Sequence, residues 1–263
     1  MITAKVIKDS ISEHSKRLTT FELILPKQLL AQLNTHRSLS KNAASSRAIP
    51  TKKFMESIKE NPVLPVWTEN KSGMQGDRII DKIKLKLLDT VWLAARDSMI
   101  AYVSILSALG VHKQTANRLL EPWFYAKVVC SATDLDWFLY LRDSGSAQEE
   151  IAILARCMKE ALATSSPQEL KVGEWHIPYI LPEEEILQTE VKLKISVARC
   201  ARTSYHTFDT DKISTVEKDL SLYAQLFNEK HLSPFEHQAQ VPTINGYRSG
   251  NFNGWVQNRE LVA

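Results

Sequence analysis

Residues 78–109 carry apolar side chains at helical spacing: Ile79, Ile80, Ile83, Leu87, Leu88, Val91, Trp92, Ala95, Met99, Val103 and Leu106. The run stops at Gly110. So long and regular a run predicts one long core helix, around which the rest of the chain must pack. Before it, residues 17–25 alternate as a strand, and Lys27 to Thr35 read as a short helix after Pro26. Residues 50–79, with Pro50, Pro62, Pro65, Gly73 and Gly76, read as irregular. Beyond it, 113–121 read as a helical turn or two and 123–130 as a strand. Residues 134–164 read as helix broken near Ser144-Gly145-Ser146. Trp137, Phe138, Tyr140 and Leu141 read as a core stripe rather than a cofactor box. Residues 165–190 hold Pro167, Pro178, Pro182 and Glu183-Glu184-Glu185 and look like a connector, after which Val191 to Arg202 is helical again.

Charge narrows the class of partner. Thirty-three basic and 30 acidic residues leave a net charge of +3 with no dense basic block, so duplex nucleic acid is not implied. Cys130, Cys157 and Cys200 lack C-x-x-C spacing and lie in apolar runs, as reduced buried thiols do; neither zinc nor a disulfide framework is expected. The seven histidines show no H-x-x-x-H or H-E-x-x-H spacing, so no catalytic metal is expected. No apolar run approaches the roughly 20 residues that span a bilayer, and no signal-peptide pattern is present, so a cytoplasmic location is expected.

The densest chemistry lies in Thr35-His36-Arg37-Ser38-Leu39-Ser40-Lys41-Asn42-Ala43-Ala44-Ser45-Ser46-Arg47-Ala48. Arginine offers a planar fork matched to phosphate oxygens, and serine hydroxyls and loop amides add neutral donors. The same composition also suits a polar surface loop after a helix. The order His-Arg-x-x-Ser-x-Asn-x-x-Ser-x-Arg resembles the signature of the flavin-dependent thymidylate synthases. Thr35 stands where that family has Arg, Ala43 where it has Glu, and Ala48 where it has Tyr. Residues Thr20 to Gln32 look like the family's strand, proline and helix leading into the motif, which places Gln32 on a nucleotide-contacting glutamine.

Further segments match. Asn117-Arg118-Leu119-Leu120-Glu121-Pro122 resembles the family's Arg-x-x-x-Pro, and Leu141-Arg142 through Ala147-Gln148-Glu149-Glu150-Ile151 resembles its Leu-Arg-x-x-x-x-Ala-Gln-x-Glu-Ile. Ser131 and Thr133 fall where the family has a flavin-binding Asn-x-Arg, and Ser146 where it has a histidine. Ala201-Arg202-Thr203-Ser204-Tyr205, a helical stretch over 215–230, and His231-Leu232-Ser233-Pro234-Phe235-Glu236-His237 resemble a region that in the family precedes the His-Arg motif; here it follows. A permuted or fused arrangement is inferred, in which the 231–237 turn folds back beside Arg37. Phe252 to Gln257 reads as a strand or turn.

The resemblance implies an α+β fold, an antiparallel sheet with packed helices including the long one. Residues 1–164 would form the catalytic core, 165–190 a connector, and 191–263 a segment completing the flavin site. It implies methylation of dUMP to dTMP with FAD, with NADPH and methylene-tetrahydrofolate as co-substrates, in a homotetramer. Gln32, Ser45, Ser46, Arg47, Arg118 and Arg142 would bind the nucleotide, and His36, Arg37, Ser38, His231, Ser233 and Glu236 the FAD. Arg142 would stabilise charge that builds on the pyrimidine carbonyls during the reaction. Taken by itself, Arg142 could equally pair at the surface with Asp143, Glu149 or Glu150, which could themselves be a solvated helix face with Gln148. The changes at Thr35 and Ala43 leave open a deoxypyrimidine monophosphate hydroxymethylase, and the missing flavin contacts leave open a non-catalytic nucleotide- or RNA-binding protein.

Overall fold

The computed structural model describes residues 1–13, 15–73, 76–203 and 214–263. Two long strands, β1 (Thr3–Ser12) and β2 (Ser15–Pro26), pair antiparallel as a hairpin. Pro26 ends β2 because it can donate no further ladder bond, and the chain turns through Lys27–Leu29 into α1 (Leu30–Asn34). Next come β3 (Ser40–Ala43) and α2 (Thr51–Glu60). The second corrects the expectation of irregular structure over 50–79: Phe54 and Ile58, four apart, bury against the core and outweigh the flanking prolines.

The long helix α3 (Lys82–Ala108) forms where expected. Asp81 caps its start by accepting from the Ile83 and Lys84 amides, and Gly110, at φ +79°, lets the chain leave its end. Its burial differs from the expectation. Only Ile100 and Val103 are buried, while Ile83, Leu87 and Val91 face solvent, as do Tyr102, Ile105 and Leu109. Three tryptophans anchor it: the Trp92 indole donates to Val63 O, and that of Trp123 donates to Trp92 O, with Trp67 edge-on to Trp92. The short α4 (Lys113–Ala116) leads to β4 (Tyr125–Ala132), α5 (Asp136–Arg142) and α6 (Glu149–Ala163). In α5 only Phe138 is buried; Trp137, Tyr140 and Leu141 are exposed, which overturns their reading as a core stripe.

Residues 165–190 contribute β5 (Gln168–Glu169) and β6 (Trp175–His176). Then follow α7 (Thr189–Arg202), α8 (Val216–Asn228), β7 (Ala239–Gln240), β8 (Arg248–Ser249), β9 (Phe252–Asn253), β10 (Val256–Gln257) and α9 (Asn258–Val262). The 252–257 stretch thus holds two short strands. Ser204 and Tyr205 lie outside the described residues. Cys130 and Cys200 are buried free thiols and Cys157 is half-buried. Burial raises the Cys130 thiol to about 12.

The main sheet has the order β3-β4-β2-β1-β5, antiparallel except for the short β1–β5 pair. Strand alternation gives it two unlike faces. Phe21, Leu23, Leu25, Ala126, Val128 and Cys130 point into the principal core, which α6 closes with Ile151, Leu154, Ala155 and Met158. The opposite face carries Ser10, Thr20, Glu22, Ser131, Ser40 and Asn42, and the C-terminal third roofs it. A buried chain of hydrogen bonds joins the two: Ser10 Oγ to His176 Nδ1 (2.9 Å), His176 Nε2 to Thr20 Oγ1 (2.8 Å), Thr20 to Ser131 Oγ (2.7 Å) and Ser131 to His237 Nδ1 (2.8 Å). Beside it, Leu18, Leu170, Ala239, Val241, Phe252 and Trp255 form a second apolar cluster. Arg199, buried on α7, pairs with Glu184 at 2.6 Å and Asp219 at 2.9 Å, which ties α7 to α8.

Candidate functional site

Three groups of polar side chains flank β3. The first surrounds a cavity of about 680 Å³, lined by Gln28 and Gln32, by Pro65 to Thr68, by Arg142 at the end of α5, and by Ser146 to Glu150 where α6 begins. The break between α5 and α6, legible as Ser-Gly-Ser, is what turns both helix ends toward this space. Arg142 Nε donates to His36 Nε2 at 2.9 Å, and Nη2 reaches Thr35 Oγ1 at 3.5 Å. An accepting Nε2 fixes His36 as the neutral tautomer protonated on Nδ1. Burial first, then the charges of Arg142 and Lys41, hold its pKa below the ordinary histidine value, which keeps it in that form. Phe138 packs edge-on against the ring.

The surface-pair alternative for Arg142 is not what forms. Asp143 pairs with Lys159 and Glu149 with Arg156, each at 3.0 Å, while Glu150 is buried and accepts from the Val66 amide and from Gln148. The guanidinium is left with donors to spare beside the cavity. Thr35, standing where the resembling family has arginine, helps hold it.

The second group is cationic. Arg47 Nε lies 3.4 Å from Ser45 Oγ, Ser46 Oγ donates to Glu121 at 2.5 Å, and Arg118 sits 3.8 Å from the same carboxylate. The Asn117 amide fixes the backbone by donating to Ser46 O and Ile49 O. Lys27, missed in the sequence, belongs here. Its pKa is lowered mainly by burial; Arg118 and Arg47 lower it further and Glu121 raises it. Three cations about one carboxylate leave positive charge for an anion.

The third group is the returning C-terminal turn. Ser233 Oγ donates to Asn42 Oδ1 at 2.5 Å, and Glu236 is held by Arg259. Gln257 Nε2 donates to Glu236 O, and Asn253 N to Thr133 Oγ1. Gly250, at φ +53°, lies so close to the Gln257 side chain that a Cβ would collide with it. The turn therefore does fold back onto the motif strand. Arg37 and Ser38 are exposed; Ser38 Oγ lies 3.4 Å from Asp134 O, and Arg37 makes no hydrogen bond or ion pair among the described residues. His231 is exposed at the end of the turn after α8. The structure thus brings Gln32 and Arg142 together, Ser45, Ser46, Arg47 and Arg118 together, and Ser233 and Glu236 together. Among the described residues no cluster of His, Cys, Asp and Glu could hold a metal ion, and no helix is long and apolar enough to cross a membrane.

The chain has similarities to known proteins. The UMP/dUMP methylase PolB from Streptomyces cacaoi bound with 5-Br UMP shares 17% identity over 62% of this chain and 89% of its own, at a TM-score of 0.49. The flavin-dependent thymidylate synthase ThyX from Helicobacter pylori, complexed with FAD and dUMP, shares 20% over 55% of this chain and 67% of its own, at 0.40. No curated protein sequence matches the chain. The family described as Thymidylate synthase complementing protein, Thy1, matches residues 4–168, which span β1 to β5 and all of the first two polar groups, and the chain belongs to that family.

Proposed function

We propose that the protein methylates dUMP to dTMP with FAD as cofactor and with methylene-tetrahydrofolate and NADPH as co-substrates. The observation that carries this reading is the shared cavity of Gln32 and Arg142: an amide and a guanidinium with unspent donors, one able to read a pyrimidine edge, the other to face charge building on its carbonyl oxygens. The Lys27, Arg47 and Arg118 group supplies the phosphate site, with Ser45 and Ser46 shaping its loop. The donor set fits a flavin dinucleotide at the turn after α1, where Arg37 presents a guanidinium suited to a diphosphate. His36 serves that side of the site by anchoring Arg142. Ser233 and Glu236, engaged by Asn42 and Arg259, hold the C-terminal turn against β3 and so shape the flavin site. Reduced flavin would supply the hydride; the protein supplies position and charge. The exposed apolar face of α3 supports a homo-oligomer, the second copy covering it.

The test is the visible absorption of the purified chain after incubation with FAD, followed by titration with dUMP and product analysis with both co-substrates present. A flavin band perturbed by dUMP, with dTMP as product, is the expected result. A hydroxymethylated product would select the hydroxymethylase, and absence of bound flavin would leave a nucleotide-binding protein.

A further inference from the structure

The Gln32 amide does not choose its own orientation. Glu150 is a buried carboxylate with both oxygens engaged: Oε1 accepts from the Val66 amide at 2.9 Å, and Oε2 from the Gln148 side chain at 2.9 Å. A carboxylate accepts, so the Gln148 atom meeting it must be Nε2, which leaves Gln148 Oε1 as the atom that meets Gln32. A carbonyl oxygen there can only accept, so Gln32 must turn Nε2 toward it. Gln32 Oε1 is then the atom left for the cavity, and it has no partner among the described residues. Donors converge on the carboxylate, the Val66 amide from one side and Gln32 through Gln148 from the other, and reversing either glutamine alone places two acceptors or two donors face to face.

We infer that Glu150 is a positioning residue for base reading: through Gln148 it holds Gln32 with Oε1 toward the bound pyrimidine, so that the site takes a ring with a donor at N3. This rests on the proposed pyrimidine site. Uracil and thymine carry N3–H, whereas cytosine presents a lone pair at N3, which an outward Oε1 repels. The remaining Arg142 donors favour a carbonyl oxygen on the same ring. Glu150→Gln keeps the size and an acceptor for Val66 but adds an amide that can donate to Gln148, which permits the whole chain to reverse.

The experiment is titration calorimetry of the full chain with dUMP and with dCMP, for wild type and Glu150→Gln, with melting temperature and far-ultraviolet dichroism recorded for each. Wild type is expected to prefer dUMP by at least about tenfold, and Glu150→Gln to lose most of that preference. A purely structural role would weaken both nucleotides in parallel and leave the ratio unchanged, and that result overturns the inference, as does a wild type that binds dCMP as tightly as dUMP. Should Glu150→Gln fail to fold, Gln148→Leu removes the middle member while Glu150 keeps its Val66 bond, and it too is expected to reduce the ratio. A wild type that binds neither nucleotide fails the proposed function itself, and the inference with it.

Discussion

Arg142 is held from one side and open on the other, a geometry that an electrostatic role requires. Replacing it with alanine is expected to lower kcat on the order of 100-fold while the melting temperature barely moves, read by steady-state assay. Lysine is expected not to rescue, because a point charge cannot bond His36 and face the cavity at once. Unchanged turnover in Arg142→Ala would remove the role. The family resemblance of the Leu141 to Ile151 segment singled out Arg142, which taken by itself could equally have been a surface pair; the sequence could not show that Lys159 and Arg156 take the neighbouring carboxylates and so free it. Lys27 was hidden for a different reason: nothing in a lysine after Pro26 signals that burial and two guanidinium groups gather around it. Glu150 was read with its neighbours as a possible solvated face; that it turns inward depends on Val66, which arrives from far upstream.

Among the elements, α3 carries a mismatch between chemistry and surroundings. Periodicity reports which side of a helix is apolar and is silent on what covers it, so the helix was legible and its exposure was not. Ile83 is 84% and Leu109 75% exposed, with Leu87, Val91, Tyr102 and Ile105 between them on one stripe. At about 1.5 Å per residue such a stripe runs on the order of 40 Å, and a two-fold pairing would make it self-complementary. The double variant Leu87→Glu with Ile105→Glu is expected to reduce the mass measured by light scattering to that of a single chain; a wild type already monomeric at micromolar concentration contradicts the pairing. The helix α2 escaped notice because prolines on both sides read as irregularity, whereas Pro50 only precedes its first turn, where a missing amide costs nothing. The α5 stripe failed in the opposite direction: its apolar residues share a helix face, but only Phe138 meets the core, and periodicity says nothing of what covers the rest.

At the scale of the molecule, two histidines join the sheet to its roof. Both His176 and His237 are fully buried, and burial lowers each to a pKa of about 3. The unfolded chain takes up a proton at each as the pH falls through about 6.5, and the folded chain does so only near 3. Stability complete above the first value is therefore lost progressively toward the second, at up to roughly 3 kcal/mol per pH unit for the pair. Urea midpoints measured at about pH 7.5 and pH 5 are expected to fall accordingly, and His237→Gln to flatten the slope by about half; equal midpoints for wild type would show that neither histidine is kept neutral. The same seam bears on how the chain is made. Translation runs from the N-terminal side, so β1 to β4 emerge with a face of serines, threonines and a glutamate before His176, His237 and Trp255, which cover it, have been made. The early sheet waits, half-dressed, for those downstream residues, and this part of the native structure can close only once they have emerged.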